Sequence, residues 1–147
     1  MIPVSIKEVS ADQTLSIRQK VLWPDKKVDE LRLEGDDLAL HLGAFSEQTL
    51  VCVASFYFDG KTARLRKFAA LSAFQNQGIG SQVLQEGLRR LAQKRVELLW
   101  CDAREAALPF YQRLGFTLDS ERFFKSEVPY FKMKKSLDTN CEDKPID

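Results

Sequence analysis

Cysteine is scarce in this chain of 147 residues, and histidine scarcer still: three of the first and one of the second. Cys52, Cys101 and Cys141 are an odd number at unrelated spacings, which excludes both a disulfide framework and a zinc pattern. A reducing cytoplasm is the expected compartment. An excess of charge is also lacking, since 22 Lys and Arg face 21 Asp and Glu for a net charge of +1. A nucleic-acid binder that relies on a strong basic field is therefore not expected, although a small anion held by local donors is unaffected. Long apolar runs are missing too. Leu50-Val51-Cys52-Val53-Ala54 is far too short to span a bilayer, and Met1 to Lys7 has neither the charged start nor the long apolar segment of a signal peptide. Neither nucleic acid nor membrane is expected as a partner.

What is present reads as one α/β domain. Apolar residues make up 44% and charged residues 29%, the range in which a chain of this length buries a real core. Ile2, Val4 and Ile6 alternate with Pro3, Ser5 and Lys7, a short first strand. Ser10 or Asp12 can cap a helix carrying Leu15, Val21 and Leu22, which Pro24 ends. After the turn signal Gly35-Asp36-Asp37 come three strand-like stretches, Leu38 to Phe45, Thr49 to Phe58 and Thr62 to Leu71. Asp59-Gly60 gives a tight hairpin between the last two, so an antiparallel meander is the economical reading.

The period then changes. From Ile79, the residues Val83, Leu84, Leu88, Leu91 and Ala92 form an apolar stripe at helical spacing. Val96 to Cys101 has the length of a strand. Ala106, Ala107, Phe110, Tyr111 and Leu114 mark a second helix, which Gly115 ends and which Pro109 forces to start late or to bend. Phe116 to Leu118 and Val128 to Met133 read as final strands. The polar tail Asp138–Asp147 is expected to fray. The order predicts a mixed, largely antiparallel central sheet with flanking helices, over a domain of residues 1–137.

One segment carries chemistry. Between Lys67 and Ser81 a strand ends, a short loop follows, and a helix opens on Gly78 and Gly80. The first amides of a helix are unpaired and lie at the positive end of its dipole, and glycine lets an anion approach the backbone. Such a loop binds phosphate without a lysine. The dinucleotide fingerprint needs a third glycine, where Val83 stands. The P-loop needs Gly-Lys-Ser/Thr, and lysine follows neither glycine.

The pattern that does match is Q/R-x-x-G-x-G/A, with Gln75, Gly78 and Gly80. It resembles the pyrophosphate loop of the GNAT acyltransferase superfamily. A second mark of that family, F-Y-x-x-x-G-F, stands here as Phe110-Tyr111-Gln112-Arg113-Leu114-Gly115-Phe116, and the intervening helix and strand agree. The resemblance covers Phe56 to Met133 closely, and the N-terminal elements only by their order.

The resemblance implies an N-acetyltransferase in which a primary amine attacks the thioester of acetyl-CoA directly, within a ternary complex. The alternative is a catalytically silent acyl-CoA-binding or sensor domain of the same fold. By this analogy the pantetheine arm pairs with the backbone of Phe68, Ala69 and Ala70, where a backbone amide also serves the developing oxyanion. The diphosphate sits on the amides of Gln77, Gly78, Ile79, Gly80 and Ser81, next to Asn76 and with the Gln75 side chain. Tyr111 stands as general acid, and Phe110 as core. Many family members carry asparagine seven residues before that tyrosine. Arg104 occupies the position here, with a CoA phosphate, an acceptor carboxylate, or the neighbouring Asp102 or Glu105 as its partner.

The general base stays open between His41, Glu127, Asp102 and an ordered water. Cys101 reads as a buried small residue, since direct transfer needs no covalent intermediate. Arg18, Trp23 and Arg66 attract notice for an acceptor site, with packing or surface roles as the plainer reading. The acceptor itself, a small-molecule or peptide amine, is unnamed by the sequence. A homodimer through exposed strand edges is common for such a fold and is left open.

Overall fold

A computed structural model describes residues 3–137. They fall into two compact units. One holds the chain up to Phe58 together with Leu65–Gly87, and the other holds Asp59–Arg64 together with the chain from Leu88 onward.

The first unit contains β1 (Ser5–Glu8), α1 (Ala11–Ile17), β2 (Leu40–Ser46), β3 (Thr49–Asp59), the later part of β4 (Thr62–Ala70) and the start of α2 (Ile79–Gln93). The hydrogen-bonded order is β1-β2-β3-β4, with β1 antiparallel to β2 and β2 antiparallel to β3. Ser10 opens α1 with a capping box. Its hydroxyl accepts from the Gln13 amide at 3.2 Å while Gln13 Oε1 accepts from the Ser10 amide at 2.8 Å, which satisfies two otherwise orphaned donors. Past Ile17 the helix widens into a π turn, Arg18–Leu22, before Pro24. Ile17 packs with Val53 of β3 and Ala69 of β4, flanked by Val21, Leu50 and Leu71. Gly87 brings α2 close to β3, because a Cβ built there would lie 2.4 Å from Cζ of the buried Phe56.

The second unit contains β5 (Leu98–Arg104), α3 (Leu108–Arg113), β6 (Thr117–Leu118), β7 (Phe123–Lys125) and β8 (Val128–Ser136). Thr62–Arg64 of β4 pairs in parallel with Leu98–Trp100, and β8 runs antiparallel to β5, β6 and β7. Leu99, Cys101 and Ala103 alternate into the core with Tyr111, Phe116 and Met133. The period of two along β5 is the pleat of a strand with one buried face. Architecture and sheet are those read from the sequence, a mixed α/β fold with mostly antiparallel strands. No helix among the described residues is long and apolar enough to cross a membrane.

Several boundaries move. The first strand is Ser5–Glu8, and Ile2 lies outside the described residues, as does the tail Asp138–Asp147. Leu38 is exposed in a turn, so β2 starts at Leu40. The strand expected at Val96–Cys101 is Leu98–Arg104, because Val96 closes the end of α2 instead. Arg95 is left-handed (φ 66°) and the Val96 amide donates to Leu91 O at 3.0 Å, the αL ending that terminates many helices. Pro109 does delay the second helix: a 3₁₀ turn, Glu105–Ala107, precedes α3, with proline in its first turn where no amide is missed. Gly115 (φ 95°) follows its end. The hairpin β7–β8, turning on left-handed Ser126 and Glu127, was not anticipated.

Candidate active site

The loop after β4 is built by its backbone. Leu71 leaves the strand, its amide donating to Val51 O at 2.9 Å, and a 3₁₀ turn covers Ser72–Phe74. Asn76 (φ 60°) and Gly78 (φ 81°) then both adopt left-handed conformations, so the chain turns twice before α2 begins at Ile79. The side chains of the two glutamines hold the loop to itself. Gln75 Nε2 donates to Ala70 O, and Gln77 Nε2 to Ala73 O, each at 2.9 Å. Ile79 is buried and anchors the helix start, while Asn76 and Gly78 are exposed and Gly80 and Ser81 half-buried. The first turn of α2 carries no acidic residue to compete for its free amides. Free amides at a helix start without a competing acid are suited to an anion.

Within β4, Lys67 has φ 54°, a value a non-glycine strand residue adopts only at a bulge or under strain. The irregularity immediately precedes Phe68, Ala69 and Ala70. Ala69 is buried, whereas Phe68 and Ala70 are half-buried. No local sequence signal marks Lys67, since left-handed lysine is a product of tertiary packing.

In the second unit Tyr111 sits on α3, buried, with its ring 5.1 Å from Phe110 and 5.4 Å from Phe116. Burial pushes its phenol far above the ordinary range, and Cys101, which shares a hydrogen bond with it, adds to the effect. Tyr111 is thus a fully protonated donor at any working pH. Cys101 is also buried, and burial pushes its thiol up to about 12 against that hydrogen bond. Arg104 ends β5, exposed. Its acidic neighbours engage other cations: Asp102 meets Arg64 at 3.0 Å and Lys125 at 2.8 Å, and Glu105 meets Arg122 at 2.9 Å.

His41, one of the residues left open as general base, lies inside the first unit. His41 is buried, Nδ1 lying 2.7 Å from Ser55 Oγ and Nε2 2.8 Å from Asp36 O. A carbonyl only accepts, so Nε2 donates to Asp36 O, while Nδ1 shares a hydrogen bond with Ser55 Oγ. Ser55 in turn accepts from Arg18 Nη2 at 3.1 Å. Arg18, expected on the surface or in packing, is the hub of this network. It also donates to Leu31 O, both oxygens of Asp36 and Tyr57. Burial alone would raise the Asp36 carboxyl, yet hydrogen bonds from Arg18, the Leu33 amide and Tyr57 hold it down at about 2. The one available signal was an arginine three residues from both Leu15 and Val21, on the apolar stripe that runs from α1 into the π turn. Asp36 looked only like a turn residue.

Arg18 also lines a cavity of about 170 Å³ within the first unit. Leu22, Trp23 and Leu31 give it apolar wall, Lys26 and Glu30 its charged rim, and Lys67 borders it as well. Two of the three residues noted for an acceptor site, Arg18 and Trp23, therefore meet here. Arg66 does not, its guanidinium lying 6.0 Å from the Tyr57 ring centre.

The acetyltransferase (GNAT) domain family matches residues 18–137, which takes in the loop, the strand before it and Tyr111. The chain belongs to the GNAT acetyltransferase family. The Bacillus subtilis protein YitI, an uncharacterized N-acetyltransferase, is 29% identical over 93% of this chain and 99% of its own. A GNAT acetyltransferase from Elizabethkingia anophelis with acetyl-CoA bound superposes with a TM-score of 0.72 at 18% identity, covering 91% of this chain and 98% of that one. The PaiA N-acetyltransferase of Thermoplasma acidophilum, in complex with coenzyme A, gives 0.68 at 17% identity, covering 91% and 99%. The last two likenesses establish the GNAT fold, and GNAT proteins of this fold are thus seen with acetyl-CoA or CoA bound.

Proposed function

We propose that this protein is an N-acetyltransferase that moves the acetyl group of acetyl-CoA to a primary amine by direct attack. The observation that carries the reading is the loop Gln75–Gly80. Two left-handed residues and an acid-free helix start form a backbone anion cradle, in a chain that belongs to a family of acetyltransferases. The amides of Gln77 to Ser81 hold the diphosphate of the donor, and Gln75 keeps the cradle in shape through Ala70 O. Arg104, exposed and unclaimed by Asp102 or Glu105, adds a cationic contact to the donor. The backbone of Phe68, Ala69 and Ala70 pairs with the pantetheine arm, and an amide there steadies the developing oxyanion.

The donor supplies an activated thioester. The acceptor nitrogen forms a bond to its carbonyl carbon, the carbon–sulfur bond breaks, and the nitrogen loses a proton to water. Tyr111 returns a proton to the departing thiolate. Its hydroxyl already faces a sulfur acceptor, that of Cys101, and a phenol carries its proton at neutral pH.

The second reading, a silent acyl-CoA-binding domain, draws support from the engaged state of His41 and Asp102 as bases. Tyr111→Phe separates the two. Loss of general acid catalysis lowers kcat by about 10²-fold or more with donor affinity intact, read by thiol release and calorimetry. Equal rates in both proteins would remove Tyr111 from the mechanism. A wild-type protein that binds acetyl-CoA and releases no thiol with any amine would establish the silent reading.

A further inference from the structure

Two kinds of contact fix the side chain of Tyr111. The first holds its ring. Phe110 meets it at 5.1 Å with the planes 82° apart, and Phe116 at 5.4 Å with the planes 74° apart. Edge contacts of this kind, on a residue buried to 8% exposure, leave the ring little room to tilt. They do not fix the proton, because a hydroxyl turns about its C–O bond to suit its partner. The second contact supplies that partner, the hydrogen bond shared with Cys101.

The strand explains why the partner is a thiol. Leu99, Cys101 and Ala103 form the buried face of β5, and Met133 stands opposite Cys101 in the ladder with β8. Leu99 and Ala103 have no polar side-chain atom, and Met133 has only a weak thioether acceptor. Cys101 is thus the polar member of an otherwise apolar face. A neutral sulfur is itself a weak partner, so a hydroxyl that rests on it is ordered and yet easily released. The thiolate that leaves in acyl transfer is a charged sulfur, and a charged acceptor bonds about twice as strongly as a neutral one. The exchange gains free energy only as that charge develops, which is the condition for accelerating the chemical step.

We propose that Cys101 is a positioning residue for the transfer, its thiol ordering the Tyr111 hydroxyl for delivery of a proton to the sulfur of CoA. The Tyr111 O–H bond breaks, the S–H bond of CoA forms, and water carrying the proton of the amine restores the phenol. Cys101 keeps its own proton and makes no bond to the substrate. This role rests on the transferase reading above, whereas the hydrogen bond does not.

The experiments use the whole protein. Infrared spectroscopy follows the S–H stretch of Cys101, assigned by its absence in Cys101→Ala, and the band should shift in Tyr111→Phe. Thiol release from acetyl-CoA is then measured with spermidine, 2-phenylethylamine, L-lysine and a lysine-bearing peptide, and the fastest acceptor is carried through. Cys101→Ala should lower kcat about five- to tenfold, the worth of one hydrogen bond, with KM for acetyl-CoA within about twofold. Cys101→Ser retains a hydrogen-bonding partner and should keep kcat within about twofold of the parent. In a Tyr111→Phe background Cys101→Ala should change kcat by less than about twofold, because no hydroxyl is left to order. Cys52→Ala, which removes a buried thiol in the first unit, should leave kcat unchanged.

Equal losses from alanine and serine, or an alanine effect that persists without the Tyr111 hydroxyl, would make Cys101 a packing residue and leave the transferase reading standing. An unmoved S–H band would remove the hydrogen bond and the role with it. A band that shifts in a protein that acetylates none of the four amines would also end the role, there through failure of the transferase reading, with the bond kept as a structural contact.

Discussion

Arg18 Nη1 lies 2.9 Å from one carboxylate oxygen of Asp36, and Nη2 lies 3.1 Å from the other. This two-pronged pair is almost sealed from water, at 1% and 7% exposure, and both partners reach it from segments without regular strand or α-helical structure. It ties the π turn after α1 to the turn before β2, and through Ser55 and Tyr57 to β3.

Breaking the pair leaves a charge buried alone. Asp36→Asn and Arg18→Met should each destabilise the protein by about 3–5 kcal/mol, seen as a lower urea midpoint. The double variant should recover part of the loss, because no uncompensated charge remains. Two single losses that simply add would show the pair to be uncoupled.

The same pair predicts the acid limb of stability. The folded Asp36 carboxyl titrates near 2, below its value in the unfolded chain, so the unfolded state takes up the proton first. Its contribution, about 2 kcal/mol, is complete above roughly pH 5 and is lost as the pH falls through about 2. Chemical denaturation at pH 6, 4 and 3 should show this loss in the parent protein and its absence in Asp36→Asn.

Gly87→Ala should destabilise despite favouring the helix. Alanine gains up to about 1 kcal/mol of helix propensity, but its Cβ would sit 2.4 Å from Phe56 Cζ, in a ring that has no solvent side to swing toward. Overpacking costs about 1–3 kcal/mol, so the melting temperature falls. Phe56→Leu in the Gly87→Ala background should return part of it.

The cradle should respond to conformation more than to side-chain chemistry. Gly78→Ala places a Cβ at φ 81°, a strain of about 1–2 kcal/mol. That corresponds to roughly a tenfold weaker donor by calorimetry. Gln75→Ala, which frees the loop from Ala70 O, should weaken the donor by a smaller factor and leave kcat at saturation nearly unchanged. A larger effect from Gln75 than from Gly78 would argue that the side chain, not the backbone, grips the anion.

The buried thiols should be silent. Burial pushes Cys52 and Cys101 each up to about 12, and the thiolate is the reactive form. In a Cys141→Ser background, native protein at pH 8 should give no colour with a disulfide reagent, and denaturant should release two thiols.

The reach of the sequence follows from how local each signal is. The loop and the helix behind it were legible because Gln75, Gly78 and Gly80 stand directly before a stripe at helical spacing, and a helix start has a fixed chemistry. The α/β order was legible for the same reason, through periods of two and 3.6. The strand β5 slipped by two residues because Val96 is apolar whether it pairs in a sheet or closes a helix. The left-handed backbone at Lys67 and the network from Arg18 to Ser55, 37 residues apart, left no periodic trace. Long-range polar partners are chosen by the fold, and one chain alone does not display that choice. His41 shows the point sharply: a titratable side chain beside two leucines could border a cleft or sit inside, and only its bonds to Ser55 and Asp36 decide.

The boundaries between the two compact units fall at 58/59, 64/65 and 87/88, inside β3, β4 and α2. The chain thus never passes from one unit to the other through a loop. A protein cut at any of these points would lose a strand or helix in mid-course and strand its hydrogen-bonding groups. Neither half is a module that recombination could lend to another protein. Shuffling with a relative has to be made at the loops that each unit keeps to itself.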